Sequence, residues 1–181
     1  MKMRRVIVGT GSNGKAQVLA DEAAPRAIDF KQVPGFSPTL LWATPATPEV
    51  GKGSVADPTP TAESWVPGPG GTRLMIVRFP PDSSMMRADF DPAAFGAEFG
   101  AGMPGLAEKF EMDCPGMHTT DSVDYDVVLE GEITLELDDG KEVQLKKHDV
   151  VIQNGNRHAW RNKGSAPAVM LFVLIGANRK S

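Results

Sequence analysis

Apolar and polar positions alternate most regularly in the C-terminal third of the chain. From Tyr125 the run YDVVLEGEITLELDDGKEVQL alternates around Asp139-Gly140, and alternation broken by Asp-Gly is the strongest short-range sign of a β-hairpin. Downstream, DVVIQ reads as a short buried strand, Asn154-Gly155-Asn156 as a turn, HAWRN as a further strand and Lys163-Gly164 as a turn. AVMLFVLIGA then reads as a continuous apolar strand. Five or six strands so closely spaced predict a sandwich or small barrel. Upstream, Ser37–Thr44 (SPTLLWAT) and Gly71–Pro81 (GTRLMIVRFPP) also read as strands.

Two segments break the β pattern. Pro45, Pro48, Pro58, Pro60, Pro67 and Pro69 mark a long irregular loop, of a length more often functional or mobile than inert, and placed to cover a barrel mouth. Residues 91–112 (DPAAFGAEFGAGMPGLAEKFEM) switch to a helical pattern, with Asp91 as N-cap, Pro92 as first helical residue, and a second short helix after Pro104. The predicted fold class is all-β, as one domain over 1–181: N-terminal strands and Pro-rich loop (1–70), then a barrel core (71–178) with a helical insert near 91–112.

Composition narrows this reading. The 19 glycines and 15 prolines in 181 residues argue against a helical bundle. A net charge of −4 lacks the basic footprint of a nucleic-acid binder, so no nucleic-acid partner is expected. No apolar run approaches the roughly 20 residues of a membrane span, and no membrane partner is expected. MKMRRVIVGTG lacks the apolar stretch of a secretion signal, so the expected location is cytoplasmic. One cysteine, Cys114, permits neither an internal disulfide nor a cysteine zinc cluster, and it has no evident activator as a nucleophile.

Gly9-Thr10-Gly11-Ser12-Asn13-Gly14 fits the G-x-G-x-x-G of dinucleotide folds. Without alternating βαβ units downstream, it reads instead as a glycine-rich turn between RRVIV and KAQVLAD.

The chemically loaded segments are 115–126 and 154–162. Alternate side chains on a strand share a face, so if Val128 faces the barrel interior, Asp126 and Asp124 do too. His158, Trp160 and Asn162 likewise share one face. Two histidines and a carboxylate form a nitrogen and oxygen donor set suited to a first-row metal with open positions.

These two segments resemble the paired signature motifs of the cupin superfamily. In the first motif, His118 takes the first histidine position, Thr120 stands where a second histidine is usual, Asp124 replaces the glutamate, and Gly131 is the closing glycine. In the second, His148 stands at the first glycine, Asn154-Gly155-Asn156 forms the turn, and His158 and Asn162 match. The resemblance implies a cupin-like jelly-roll β-barrel, or double-stranded β-helix, with a small organic substrate in its lumen. It implies a divalent metal (Fe, Mn, Ni or Zn) on His118, Asp124 and His158, with Asp126 and His158 in catalytic roles. Thr120, Trp160 and Asn162 would line the substrate pocket. A homodimer is expected.

Simpler roles compete. The two histidines suit hydrogen-bonded pocket residues, Asp124 their orienting partner or a general base, and Asp126 a neighbour's acceptor. His148 belongs to an exposed turn, Tyr125 points away from the lumen, and Trp42 and Trp65 suit packing. Three functions follow: a metal-dependent enzyme of dioxygenase, decarboxylase or isomerase type; a metal-free His/Asp acid–base epimerase or cyclase; or a non-enzymatic binding module.

Overall fold

The computed structural model describes residues 2–51 and 56–180. Eleven strands and one α-helix follow in chain order: β1 (Arg4–Thr10), β2 (Ala16–Ala23), β3 (Arg26–Ala27), β4 (Ser37–Thr44), β5 (Thr72–Phe79), α1 (Pro92–Gly102), β6 (Ser122–Glu130), β7 (Glu132–Glu136), β8 (Glu142–Lys146), β9 (Val150–Asn154), β10 (Ala159–Arg161) and β11 (Ala168–Gly176).

A six-stranded sheet in the order β3-β4-β5-β11-β6-β9 packs against a three-stranded sheet in the order β10-β7-β8. The core lies between them, where Met75, Val77, Val128, Met170, Phe172 and Leu174 of the larger sheet meet Ile133, Leu135 and Leu145 of the smaller. This is the expected all-β jelly-roll barrel, with additional N-terminal strands and a helical insert. Alternation dictates the facing: along β6, Ser122, Asp124, Asp126 and Val128 are buried, while Tyr125 is exposed.

Gly131 carries the chain from one sheet to the other. Its φ of 74° is left-handed, and an added Cβ would lie 2.6 Å from the Pro167 carbonyl oxygen, so only glycine fits. The β7–β8 hairpin turns at Asp139 (φ 57°) and Gly140 (φ 69°), the left-handed pair that Asp-Gly predicts.

The glycine-rich run at 9–14 is a hairpin turn between β1 and β2, closed by Gly14 N–H donating to the Gly11 carbonyl (2.9 Å). Arg5 ties this hairpin to the barrel. Its guanidinium donates to the Leu41 carbonyl (3.1 Å), pairs with Glu22 and Asp57, and lies over Trp42, 5.8 Å from the ring centroid. Trp65, from the Pro-rich loop, is fully buried in the core.

Candidate active site

The site is assembled by a backbone pairing outside any regular strand. His118 and His158 face each other in an isolated antiparallel bridge: His118 N–H donates to the His158 carbonyl (2.9 Å), and His158 N–H to the His118 carbonyl (3.0 Å). Such a directly opposed pair holds its side chains on one face. The imidazole centroids accordingly lie 4.2 Å apart. His118 also stacks on Phe110, at 4.3 Å and 15°, and His158 meets the Trp160 ring edge-on.

Each ring is held by its inner nitrogen. Nδ1 of His118 lies 3.1 Å from the Gly116 carbonyl, and Nδ1 of His158 lies 3.1 Å from the Asn156 carbonyl. A carbonyl only accepts, so each Nδ1 carries the hydrogen and donates. In a neutral imidazole Nε2 is then a bare acceptor. Neutrality follows from the surroundings. Burial, with the neighbouring His158, pushes the His118 pKa down to about 3, and burial also lowers that of His158 against the favourable contact with Asn156.

β6 contributes two carboxyls. Asp124 is buried beside a hydroxyl chain in which Ser122 Oγ donates to Thr120 Oγ1 (3.0 Å), and Thr120 Oγ1 makes a long 3.5 Å contact with Asp124 Oδ2. Burial outweighs these hydroxyls and raises its pKa to about 6. Asp126 accepts from Gln153 Nε2 (2.9 Å), whose own oxygen accepts from Asn156. Burial, reinforced by Asp124, raises the Asp126 pKa to about 8, so it is mostly protonated at neutral pH. One oxygen of each carboxyl has no hydrogen-bond partner.

A cavity of about 80 Å³ opens onto this corner. Its polar lining is His118, Thr120, Asp124, Gln153 and His158, and its wall includes Phe36, Phe79, Phe172 and Trp160. Phe99, Met103, Leu106 and Phe110 roof it.

The structure thus brings His118, His158, Asp124, Thr120 and Trp160 to one cavity. Two expected site residues lie elsewhere. Asp126 is sealed behind Gln153 and does not line the cavity. Asn162 is a structural hub: its Nδ2 donates to the Phe79 (3.0 Å) and Ala166 (2.9 Å) carbonyls, its Oδ1 accepts from Gly164 N–H, and its own N–H donates to Asp82. The strand alternation that aligned Asn162 with His158 and Trp160 ends with β10 at Arg161.

Nor do the three expected metal ligands converge. Among the described residues, no group of three His, Cys, Asp or Glu side chains stands close enough to hold a metal ion. Asp124 Oδ2 meets the Thr120 hydroxyl, and its Oδ1 has no hydrogen-bond partner, so neither imidazole is bonded to that oxygen. As arranged, the residues do not fit a resident divalent metal.

Gln153 and the phenylalanines are the lining residues that sequence reasoning missed. Period-two spacing of Met75, Val77 and Phe79 on β5 and of Phe172 and Leu174 on β11 was the available signal. The roof comes from the helical insert, and the described residues of the Pro-rich loop supply none of the lining.

A family model described as "Cupin domain" matches residues 114–174. Phomopsin biosynthesis cluster protein C′ of Diaporthe leptostromiformis is 50% identical over 62 residues, 34% of this chain and 33% of the relative. The cupin-domain-containing oxidoreductase virC of Hypocrea virens is 39% identical over 62 residues, 33% of this chain and 32% of the relative. The chain thus spans about a third of the length of these curated relatives. Among solved structures, a putative ethanolamine utilization protein Q from Salmonella typhimurium aligns over 98% of this chain and 99% of its own, with 11% identity and a TM-score of 0.43.

Proposed function

We propose, with a cupin domain at residues 114–174 as the starting point, that this protein is a small-molecule enzyme whose barrel lumen performs acid–base chemistry. One observation carries the reading: the polar corner of an otherwise apolar cavity includes acceptors that no protein donor satisfies. Two neutral imidazoles expose bare Nε2 atoms, and Asp124 keeps one carboxylate oxygen without a partner. A ligand that satisfies this corner brings a hydrogen-bond donor or an acidic proton. Asp124, with a pKa raised to about 6, is largely ionised at neutral pH and close enough to neutrality both to take a proton and to return it.

In this reading Asp124 removes a proton from an acidic C–H or O–H of the ligand. The imidazole nitrogens orient that group, and the aromatic wall keeps water away. Return of the proton to another atom of the same ligand completes an isomerisation, and its return to the opposite face of the same carbon an epimerisation; neither needs an oxidant. Thr120 tunes Asp124 through the hydroxyl chain, and His158 is a positioning base rather than a metal ligand.

The test uses deuterium. 2-Tetralone and phenylacetone, both small enolisable aryl ketones, are incubated with the protein in D2O and followed by proton NMR. Protein-dependent exchange that Asp124→Asn abolishes supports the proposal. Exchange no faster than in buffer with both compounds, or undiminished in Asp124→Asn, refutes it.

A second reading rests on the relatives described as cupin-domain-containing oxidoreductases, at 39% and 38% identity over about a third of their length. It requires a redox partner that recruits a third ligand to the imidazole pair. Stoichiometric iron, manganese, nickel or zinc in protein purified without metal-affinity steps, lost in His118→Ala, would favour it.

A further inference from the structure

The cavity is smaller than one known to take an aromatic ring. Its volume is about 80 Å³, against the roughly 150 Å³ of an engineered protein cavity that binds benzene. Yet its lining is suited to such a ligand. Trp160 and Phe172 meet at 5.7 Å and 73°, and Phe79 and Phe172 at 6.2 Å and 63°. These tilted walls offer both faces and edges to a flat ring. Among the described residues, no lysine or arginine lines the cavity to receive a negative charge, and a buried unpaired anion is costly.

Met103 anchors the end of the roof in the core, but the helix before it lies on the barrel surface. No residue of α1 is fully buried. Phe95 and Phe99 rest on Phe30, each at 5.8 Å between centroids, and the Glu98 carboxylate accepts from the backbone N–H groups of Lys31 (2.9 Å) and Gln32 (3.2 Å). Three of its eleven residues are glycine, which is a poor helix former. At Gly102 packing explains the choice, because an added Cβ would lie 3.1 Å from Ile28 Cδ1. At Gly96 and Gly100 an added Cβ would meet nothing within 4 Å. Packing does not require those two glycines; their effect is to keep a solvent-facing helix easy to open.

We infer that the site takes a planar aromatic hydroxy compound carrying no negative charge, and that α1 is the roof such a ligand lifts in order to enter and leave. The ligand's hydroxyl donates into the acceptor corner while its ring lies among Phe79, Trp160 and Phe172. This deepens the acid–base reading and rests on it for the corner's role, while entry through the roof is read from binding alone.

Phenol, cyclohexanol and benzoate are compared by calorimetry, and phenol exchange rates are measured by NMR. Phenol should bind roughly fivefold or more tighter than either comparator. Equal or tighter binding of cyclohexanol or benzoate, or no phenol binding, overturns the ligand class. The double substitution Gly96→Ala/Gly100→Ala should slow phenol association and dissociation together by roughly 5- to 30-fold, leaving the dissociation constant nearly unchanged. Glu98→Ala should accelerate both. Hydrogen exchange across residues 92–102 verifies that the alanines tighten the helix. Tightening with unaltered phenol rates overturns the roof. Repeating the rate comparison in Asp124→Asn separates the two proposals, since loss of deuterium exchange with the rate ratio preserved isolates the chemistry from the gate.

Discussion

Asp126 should make the protein less stable as pH rises just above neutrality. Its carboxyl is fully buried, and burial raises its pKa from 3.8 to about 8. Between these values the native state holds a proton that the unfolded chain has released, so stability falls as pH rises towards the folded pKa. The other buried groups act in different windows. His118, lowered from 6.5 to about 3, makes stability rise with pH, but only up to about 6.5, and His158 acts in the same direction. Asp124, raised to about 6, acts with Asp126 but is largely ionised by pH 6.5. The interval from pH 6.5 to 8 is therefore left mainly to Asp126. Each pH unit there is worth up to about 1.4 kcal/mol, so the interval costs on the order of 2 kcal/mol. Urea unfolding at half-unit steps should show the midpoint falling through this range, with the slope of the unfolding free energy against urea held constant. Asp126→Asn, which still accepts from Gln153 through its amide oxygen, should flatten the dependence. A wild-type midpoint that is level from pH 6.5 to 8, or an equal fall in the variant, would refute the assignment of a buried neutral acid at this position.

Two further expectations concern stability. Asn162→Ala removes three part-buried bonds from the Asn162 side chain, to the Phe79 and Ala166 carbonyls and from the Gly164 N–H, and should lower the unfolding free energy by about 1–3 kcal/mol in urea titrations; a loss below about 0.5 kcal/mol would contradict its structural role. His148 adopts φ 77° on an exposed turn, so His148→Gly relieves left-handed strain and should raise stability by about 0.5–1 kcal/mol in the same assay; destabilisation would show that the imidazole makes an unrecognised contact.

The barrel was legible because its signals are local. Alternation through β6, Asp139-Gly140 at the hairpin and the Asp91-Pro92 helix start each act within a few residues, and each element appears where its pattern placed it. Even the substitution of His148 for a glycine marks a real left-handed position. What was not legible depended on distant partners. Asn162 shares a sequence parity with Trp160, but the strand ends before it, and Asp82, some 80 residues earlier, draws its backbone into another network. Asp126 shares the inward face with Asp124, yet Gln153 on the adjacent strand stands between it and the cavity. Which face of α1 meets the barrel was also not legible, because the helix has weak amphipathic character.

The bridge at His118 has a consequence beyond holding two rings together. Phe110, at the end of the helical insert, is itself bridged to His118 and stacked on its ring, and its other neighbour is Phe99 of α1, 5.0 Å away edge-to-face. Displacement of the roof is therefore felt at the imidazole through a single intervening ring. In the gate proposed above, admission of a ligand and alignment of the imidazole that orients it are therefore two ends of one motion.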